Sequence, residues 1–278
     1  MYYSAIAWPG VRSRFGGDTS WGFNVMRKKR VAEVYLPGCN LKCDFCVAPF
    51  LSKIGEIRGI RWIEPVELVR ASAGLVDVVG VSGGEPSIHV EYLIDVFSEC
   101  QDRGIRTSFE TNGCMTKNTA QKLAKHTDCV GIGLKASLDP SFYKQRFGVE
   151  IEPIREAAKV FVESGCEVIL TNLTDSNLWH DTQAFTDLTK WISRELGPET
   201  RLALSSLETK ERTYVSSPQH RETHLEQYRK IAADAGLQQV FFQVDVGEKA
   251  AEHREHLEKI GLFRTLQKMG IRTSDDQW

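Results

Sequence analysis

Three cysteines within eight residues carry the strongest chemical signal in the chain: Cys39, Cys43 and Cys46, in the run Cys39-Asn40-Leu41-Lys42-Cys43-Asp44-Phe45-Cys46. The spacing is C-x3-C-x2-C, with an aromatic residue just before the last cysteine. Three thiolates on one short loop can hold three corners of a four-iron, four-sulfur cube and leave the fourth iron without a protein ligand. An open iron can bind and activate a molecule, which a purely structural cluster has no need to do. Two other readings compete with the cluster. A structural zinc site wants a fourth Cys or His at finger-like spacing, yet none of the seven histidines lies near this loop, the closest in sequence being His89. Disulfides are disfavoured by the odd total of seven cysteines and by a start, Met1-Tyr2-Tyr3-Ser4-Ala5, without the basic segment of a signal peptide.

The elements that must position this loop are short apolar runs alternating with helical patterns. Val31–Leu36 reads as a strand leading straight into the cysteines. Further strands are expected at Val76–Val81, Ile105–Phe109, Val130–Leu134, Glu167–Leu170, Leu202–Leu204 and Val240–Val244. Val76–Val81 is nearly continuous and β-branched, as a strand buried on both faces should be. Between them the pattern predicts helices over Pro65–Ala73, Val90–Asp102, Thr116–His126, Pro153–Glu163, Asp181–Glu195 and Pro218–Gly236, with Thr116 and Ser217 as N-caps. Repeated strand–helix units argue for a parallel sheet with helices outside, and in barrels of this kind chemistry sits at the C-terminal strand ends.

Every polar motif falls in phase with that rule. One strand ends in Ser82-Gly83-Gly84-Glu85-Pro86, which begins 36 residues after Cys46. Its two glycines let the backbone approach a ligand closely, and Glu85 offers a carboxylate. The next strands end in Glu110-Thr111-Asn112-Gly113, in Leu134-Lys135 and in Thr171-Asn172. Lys135 can hold an anionic group as a point charge. Cys100, Cys129 and Cys166 fall at the opposite ends of the units and read as small apolar residues. Cys114 follows the Glu110 loop at the active edge, as loop filler or as a hydrogen-atom donor.

Composition bounds the rest. The chain has 278 residues, 41% hydrophobic and 26% charged, with a formal net charge of −2. This is ordinary globular composition, with no basic bias toward nucleic acid and no apolar run of the roughly 18 residues that span a bilayer. A cytoplasmic location is expected. Residues 1–30 read as an N-terminal extension, a cap or a short hairpin, and residues 246–278 as a charged helical tail. Residues 31–245 form the α/β unit between them.

On the cysteine triplet and Gly83-Gly84-Glu85-Pro86 together, the chain resembles the radical S-adenosylmethionine (radical SAM) superfamily. The resemblance implies a partial (β/α)6 TIM-like barrel, a 4Fe-4S cluster on Cys39, Cys43 and Cys46, and S-adenosylmethionine chelated by the open iron. An electron from the reduced cluster breaks the sulfonium C–S bond, and the resulting 5′-deoxyadenosyl radical removes a hydrogen atom from the substrate. It further implies that Phe45 lies against the adenine, that Ser82, Gly83, Gly84, Glu85 and Pro86 bind the methionyl ammonium, and that Glu110, Asn112, Lys135 and Asn172 line the cofactor site. Asn172 would hydrogen-bond the ribose or the carboxylate. A flavodoxin or ferredoxin would donate the electron.

Within the superfamily, Val31 to Val244 resembles the short-form glycyl-radical-enzyme activating enzymes, the group of the pyruvate formate-lyase activase. The supporting stretches are Ser82–Pro86, Glu110-Thr111-Asn112-Gly113, and Leu134-Lys135 followed by Phe142-Tyr143-Lys144. That branch has Asp where Glu110 stands, and a second Asp where this chain has Gly133. Both aspartates belong to a monovalent-cation site beside the cofactor. Three expectations follow: an activase that abstracts hydrogen from a glycine of a large partner enzyme, an enzyme acting on a small molecule or peptide precursor (by epimerisation, dehydration or ring formation), or a non-catalytic iron–sulfur or zinc protein.

Overall fold

The computed structural model describes residues 6–9, 31–43, 46, 49–52, 64–74, 76–135, 138–173, 182–205 and 218–242. They form one eight-stranded sheet in which every strand lies beside its sequence neighbours. The strands are β1 (Ile6–Pro9), β2 (Val31–Leu36), β3 (Val78–Gly83), β4 (Arg106–Thr111), β5 (Cys129–Leu134), β6 (Glu167–Leu173), β7 (Arg201–Ser205) and β8 (Val240–Phe242). β2 to β8 are mutually parallel. β1 instead runs antiparallel to β2, so part of the N-terminal stretch adds an edge to the sheet. Among the described residues β1 and β8 do not pair, and the sheet stays open.

The helices are α1 (Pro49–Ser52), α2 (Pro65–Ser72), α3 (Val90–Gln101), α4 (Lys117–Ala124), α5 (Pro140–Phe147), α6 (Glu152–Glu163), α7 (Thr182–Glu195) and α8 (Pro218–Asp234). Parallel strands in sequence order need crossovers of one hand, which brings the helices to one face of the sheet. Side chains alternate across a strand, so each strand divides into two rows. One row, with Val34, Leu36, Val79, Val81, Phe109, Val130, Ile132, Leu134, Leu170, Leu202 and Leu204, joins Leu93, Phe97, Leu123, Ile154 and Phe161 of the helices in one core. Burying each of these side chains contributes about 1.5–3 kcal/mol. The other row faces away from the helices and lies outside that core. The strand register aligns Gly80 with Ser108, and Gly131 with Glu110 and Ile169; Gly133 pairs with Thr171, which pairs with Ala203. This inner face is made largely of small and polar residues.

Local signals explain the helix ends. The Thr116 hydroxyl accepts from the Thr119 N–H at 3.1 Å, so it caps α4 as expected. α5 was not foreseen as a helix, although Asp139 caps it, Pro140 opens it and Gly148 closes it in the left-handed conformation. At the N-terminal ends of the strands Glu167 bridges Arg106 at 2.9 Å and Arg201 at 3.2 Å. All three side chains are more than a third exposed or nearly so, and such pairs add little stability. No helix among the described residues is long and apolar enough to cross a membrane.

Candidate active site

Because β2 to β8 are parallel, their C-terminal ends share one edge, and the cysteine loop leaves β2 there. The turn after β3 is clamped onto that loop. Gly84 N–H donates to the Leu36 carbonyl at 2.9 Å, and Glu85 N–H donates to the Gly38 carbonyl at 2.7 Å. A Cβ on Gly83 would stand 2.3 Å from the Leu36 oxygen, and one on Gly84 2.0 Å from the Gly38 oxygen. The two glycines therefore admit the protein's own backbone.

Glu85 is likewise engaged by the protein itself. Its side chain is 0% exposed. One carboxylate oxygen accepts from the Thr111 hydroxyl at 2.6 Å and from Ser87 N–H at 2.9 Å; the other accepts from Asn112 N–H at 2.6 Å. The carboxylate is thus buried in a bridge between the β3 and β4 ends. Pro86 opens a single 3₁₀ turn, Pro86–His89, capped by the same Glu85. The buried His89 ring at the end of that turn meets the Pro37 carbonyl at 2.6 Å.

From Glu85 the network passes to the cysteines. The Asn112 side-chain amide donates to Asn40 Oδ1 at 2.8 Å and points at Cys39 Sγ at 3.8 Å. Asn40 donates in turn to the Cys114 carbonyl at 2.8 Å, and Cys114 N–H donates to Asn112 Oδ1 at 2.8 Å. Asn40, Thr111 and His89 were missed as site residues. The position of Asn40 beside a cysteine was a signal for it, whereas the partners of Thr111 and His89 lie 26 and 52 residues away.

Cys39, Cys43 and Cys46 form no disulfide among the described residues and are half-buried. Cys46 N–H donates to the Cys43 carbonyl at 3.3 Å, and Leu41 N–H donates to Cys39 Sγ at 3.4 Å. Burial raises the Cys39 thiol pKa, the Leu41 N–H lowers it, Glu85 raises it, Lys135 lowers it and Cys46 raises it. Three thiols on one loop fit an iron–sulfur cube by donor chemistry. Among the described residues no three such side chains are gathered in a metal-holding arrangement. Phe45 lies outside the described residues.

The remaining expected residues divide by row. Ser82 and Glu110 share the inner face, and the Ser82 hydroxyl donates to Glu110 at 2.8 Å. Lys135 continues the row of Gly131 and Gly133, and its N–H donates to the Tyr143 hydroxyl at 3.1 Å. Asn172 sits in the other row. It is paired with Leu134 and Leu204 in the helix-facing row, is 0% exposed, and donates its amide to the Leu134 carbonyl at 3.0 Å. Its neighbour Thr171 is the β6 residue beside Gly133.

The other cysteines behave as expected from their ends of the strands. Cys100 and Cys129 are fully buried, and Cys166 donates to the Thr127 carbonyl at 3.2 Å. Burial pushes the Cys100 thiol up to about 12 and the Cys166 thiol up to about 11, and it raises Cys129 as well. Since the thiolate is the reactive form, brief alkylation of cluster-free protein near pH 8 is expected to mark Cys39, Cys43, Cys46 and Cys114 before these three. Cluster loading should then protect the first three and leave Cys114 open, read by peptide mass spectrometry. Equal protection of Cys114 would make it a fourth ligand.

Comparison with known proteins places this geometry. An uncharacterised protein of Methanocaldococcus jannaschii is 27% identical over 223 residues, covering 79% of this chain and 65% of its own length. The pyruvate formate-lyase-activating enzyme of Listeria monocytogenes is 32% identical over 115 residues, covering 37% of this chain and 45% of its own. The chain thus spans less than two thirds of either relative. In fold it is similar to Streptococcus suis SuiB bound to its precursor peptide SuiA, with a TM-score of 0.60, 16% identity, and coverage of 86% of this chain and 50% of that one. The family model for the radical SAM superfamily matches residues 34–182, just over half of the chain, from the last strand before the cysteines to the start of α7. This chain belongs to the radical SAM superfamily.

Proposed function

We propose that the chain reductively cleaves S-adenosylmethionine at a 4Fe-4S cluster and abstracts a hydrogen atom from a polypeptide, with a glycine of a partner glycyl radical enzyme as the substrate site. The observation that carries the reading is the locked edge. The cysteine loop is pinned at Leu36 and Gly38 by the Gly83-Gly84-Glu85 turn and at Asn40 by Asn112. Three thiols are presented where every parallel strand ends.

Cys39, Cys43 and Cys46 are the residues that would hold the cluster. When bound, the cluster and S-adenosylmethionine supply the electron and the 5′-deoxyadenosyl radical that takes the hydrogen atom. The protein's own contribution is positioning. Asn112 orients Cys39 and Asn40, and Glu85 holds Asn112. Lys135 offers its ammonium to an anionic group on the inner face, and Thr171, rather than the buried Asn172, offers a hydroxyl from β6. A flavodoxin or ferredoxin would supply the electron.

The activase reading draws on relatives such as the Listeria enzyme. A second reading, a peptide precursor or small molecule as substrate, is favoured by Gly133, where the activase branch carries a carboxylate. The test is anaerobic. The protein is reconstituted with iron and sulfide, reduced with dithionite, and supplied with S-adenosylmethionine. 5′-Deoxyadenosine is then quantified by mass spectrometry. Product formation is the expected result, and a reduced four-iron protein that leaves the cofactor intact with every candidate substrate would sink the proposal. A protein-centred glycyl radical in electron paramagnetic resonance, seen with the partner enzyme, separates the first substrate reading from the second.

A further inference from the structure

The inner face carries a lysine folded back on its own strand. Residues 133 and 135 lie on the same side of β5 because side chains alternate. A Cβ built on Gly133 would stand 2.8 Å from Lys135 Nζ and 3.4 Å from its Cε. The next nearest atom is the Thr111 carbonyl oxygen at 3.7 Å. The end of the lysine therefore occupies the volume that any side chain at 133 would take. Gly133 is buried and has no positive φ, so backbone conformation does not call for glycine here. The reason for glycine is the ammonium above it.

The surroundings suit a fixed positive charge. Glu110 lies in the same row on the neighbouring strand, held by Ser82. The Thr111 carbonyl borders the site. The monovalent cation that the activating-enzyme resemblance implies does not fit this arrangement. One of its two carboxylates is replaced by Gly133, and the space above that glycine holds an ammonium.

We propose that Lys135 is the resident cation of this site, that Gly133 serves to admit it, and that cofactor binding here is independent of alkali-metal ions. The inference rests on the proposed function for its ligand, but not for its geometry. An ammonium tethered by the chain presents its charge without a binding equilibrium, whereas a bound ion depends on the salt present.

The test uses cluster-loaded, oxidised protein, which binds S-adenosylmethionine without turning it over. Affinity by calorimetry and melting temperature without the cofactor are measured in sodium, potassium and tetramethylammonium chloride at equal ionic strength. The expected result is affinity within about twofold and equal melting across the three salts. Gly133→Ala is the decisive variant, because the atom in its way is the far end of a flexible side chain. It should melt like the wild type and bind S-adenosylmethionine at least about tenfold more weakly, as Lys135→Met should. Selective tightening or stabilisation by sodium or potassium in the wild type would overturn the proposal, as would wild-type affinity in Gly133→Ala. If the wild type binds no S-adenosylmethionine in any salt, the proposed function fails, and the melting series alone decides the cation question.

Discussion

Cys43→Ala is expected to fold, to hold almost no iron after reconstitution, and to form no detectable 5′-deoxyadenosine under conditions in which the wild type does. Cys43 is preferred to Cys39 for this test. Cys39 Sγ also accepts from Leu41 and faces Asn112, so its loss would disturb the loop as well as the donor set. In Cys43→Ala the hydrogen bond from Cys46 N–H to the residue 43 carbonyl is to the backbone and survives. The melting temperature of the cluster-free protein should stay within a few degrees of the wild type. With two thiolates left, no three corners of a cube are held. Iron content and melting temperature together separate this outcome from simple misfolding. A variant that keeps full iron and full cleavage would place the ligands elsewhere. A wild type that takes up zinc and no iron–sulfur cluster would return the chain to the structural-metal reading.

What the sequence disclosed, and what it did not, follows the range of the interactions involved. The cysteine triplet and the strand entering it are local, and β2 runs over Val31–Leu36 as read. The Thr116 cap is also local. β3 is displaced from Val76–Val81 to Val78–Gly83 because its span is set by pairing, Val31 with Val78 and Leu36 with Gly83, and not by its own apolar run. The row assignment of Asn172 was not legible for a different reason. In Glu-Val-Ile-Leu-Thr-Asn-Leu both rows of β6 carry apolar residues, so no alternation shows which one faces the helices. The α5 helix had its signals in Asp139, Pro140 and Gly148, and these were passed over because its own periodicity is weak. Lys135 was legible as a charge at a strand end. That it needs Gly133 is visible only once the fold turns its ammonium back.

Glu85 is where the motif and the structure diverge most, and its replacement should show which is right. If Glu85 were chiefly a ligand contact, Glu85→Ala would weaken S-adenosylmethionine binding and leave the protein as stable as before. The structure predicts otherwise. Removing the carboxylate strips the acceptor from the Thr111 hydroxyl and from the N–H groups of Ser87 and Asn112, all inside a fully buried site. Each orphaned donor costs about 1–3 kcal/mol. Even with partial relaxation the total is on the order of 3 kcal/mol, or a fall in melting temperature of about 5–10 °C for a chain of this size. Glu85→Gln is the graded control. Its amide restores one acceptor but sets an N–H₂ group against either the Asn112 N–H or the Ser87 N–H, so an intermediate loss is expected. Because Asn112 reaches Asn40 and Cys39, both variants should also take up iron more slowly on reconstitution. Melting curves of cluster-free protein and the time course of iron incorporation check the two halves separately. Unchanged melting in Glu85→Ala, with cofactor binding lost, would make the buried bridge incidental and restore the carboxylate to the ligand.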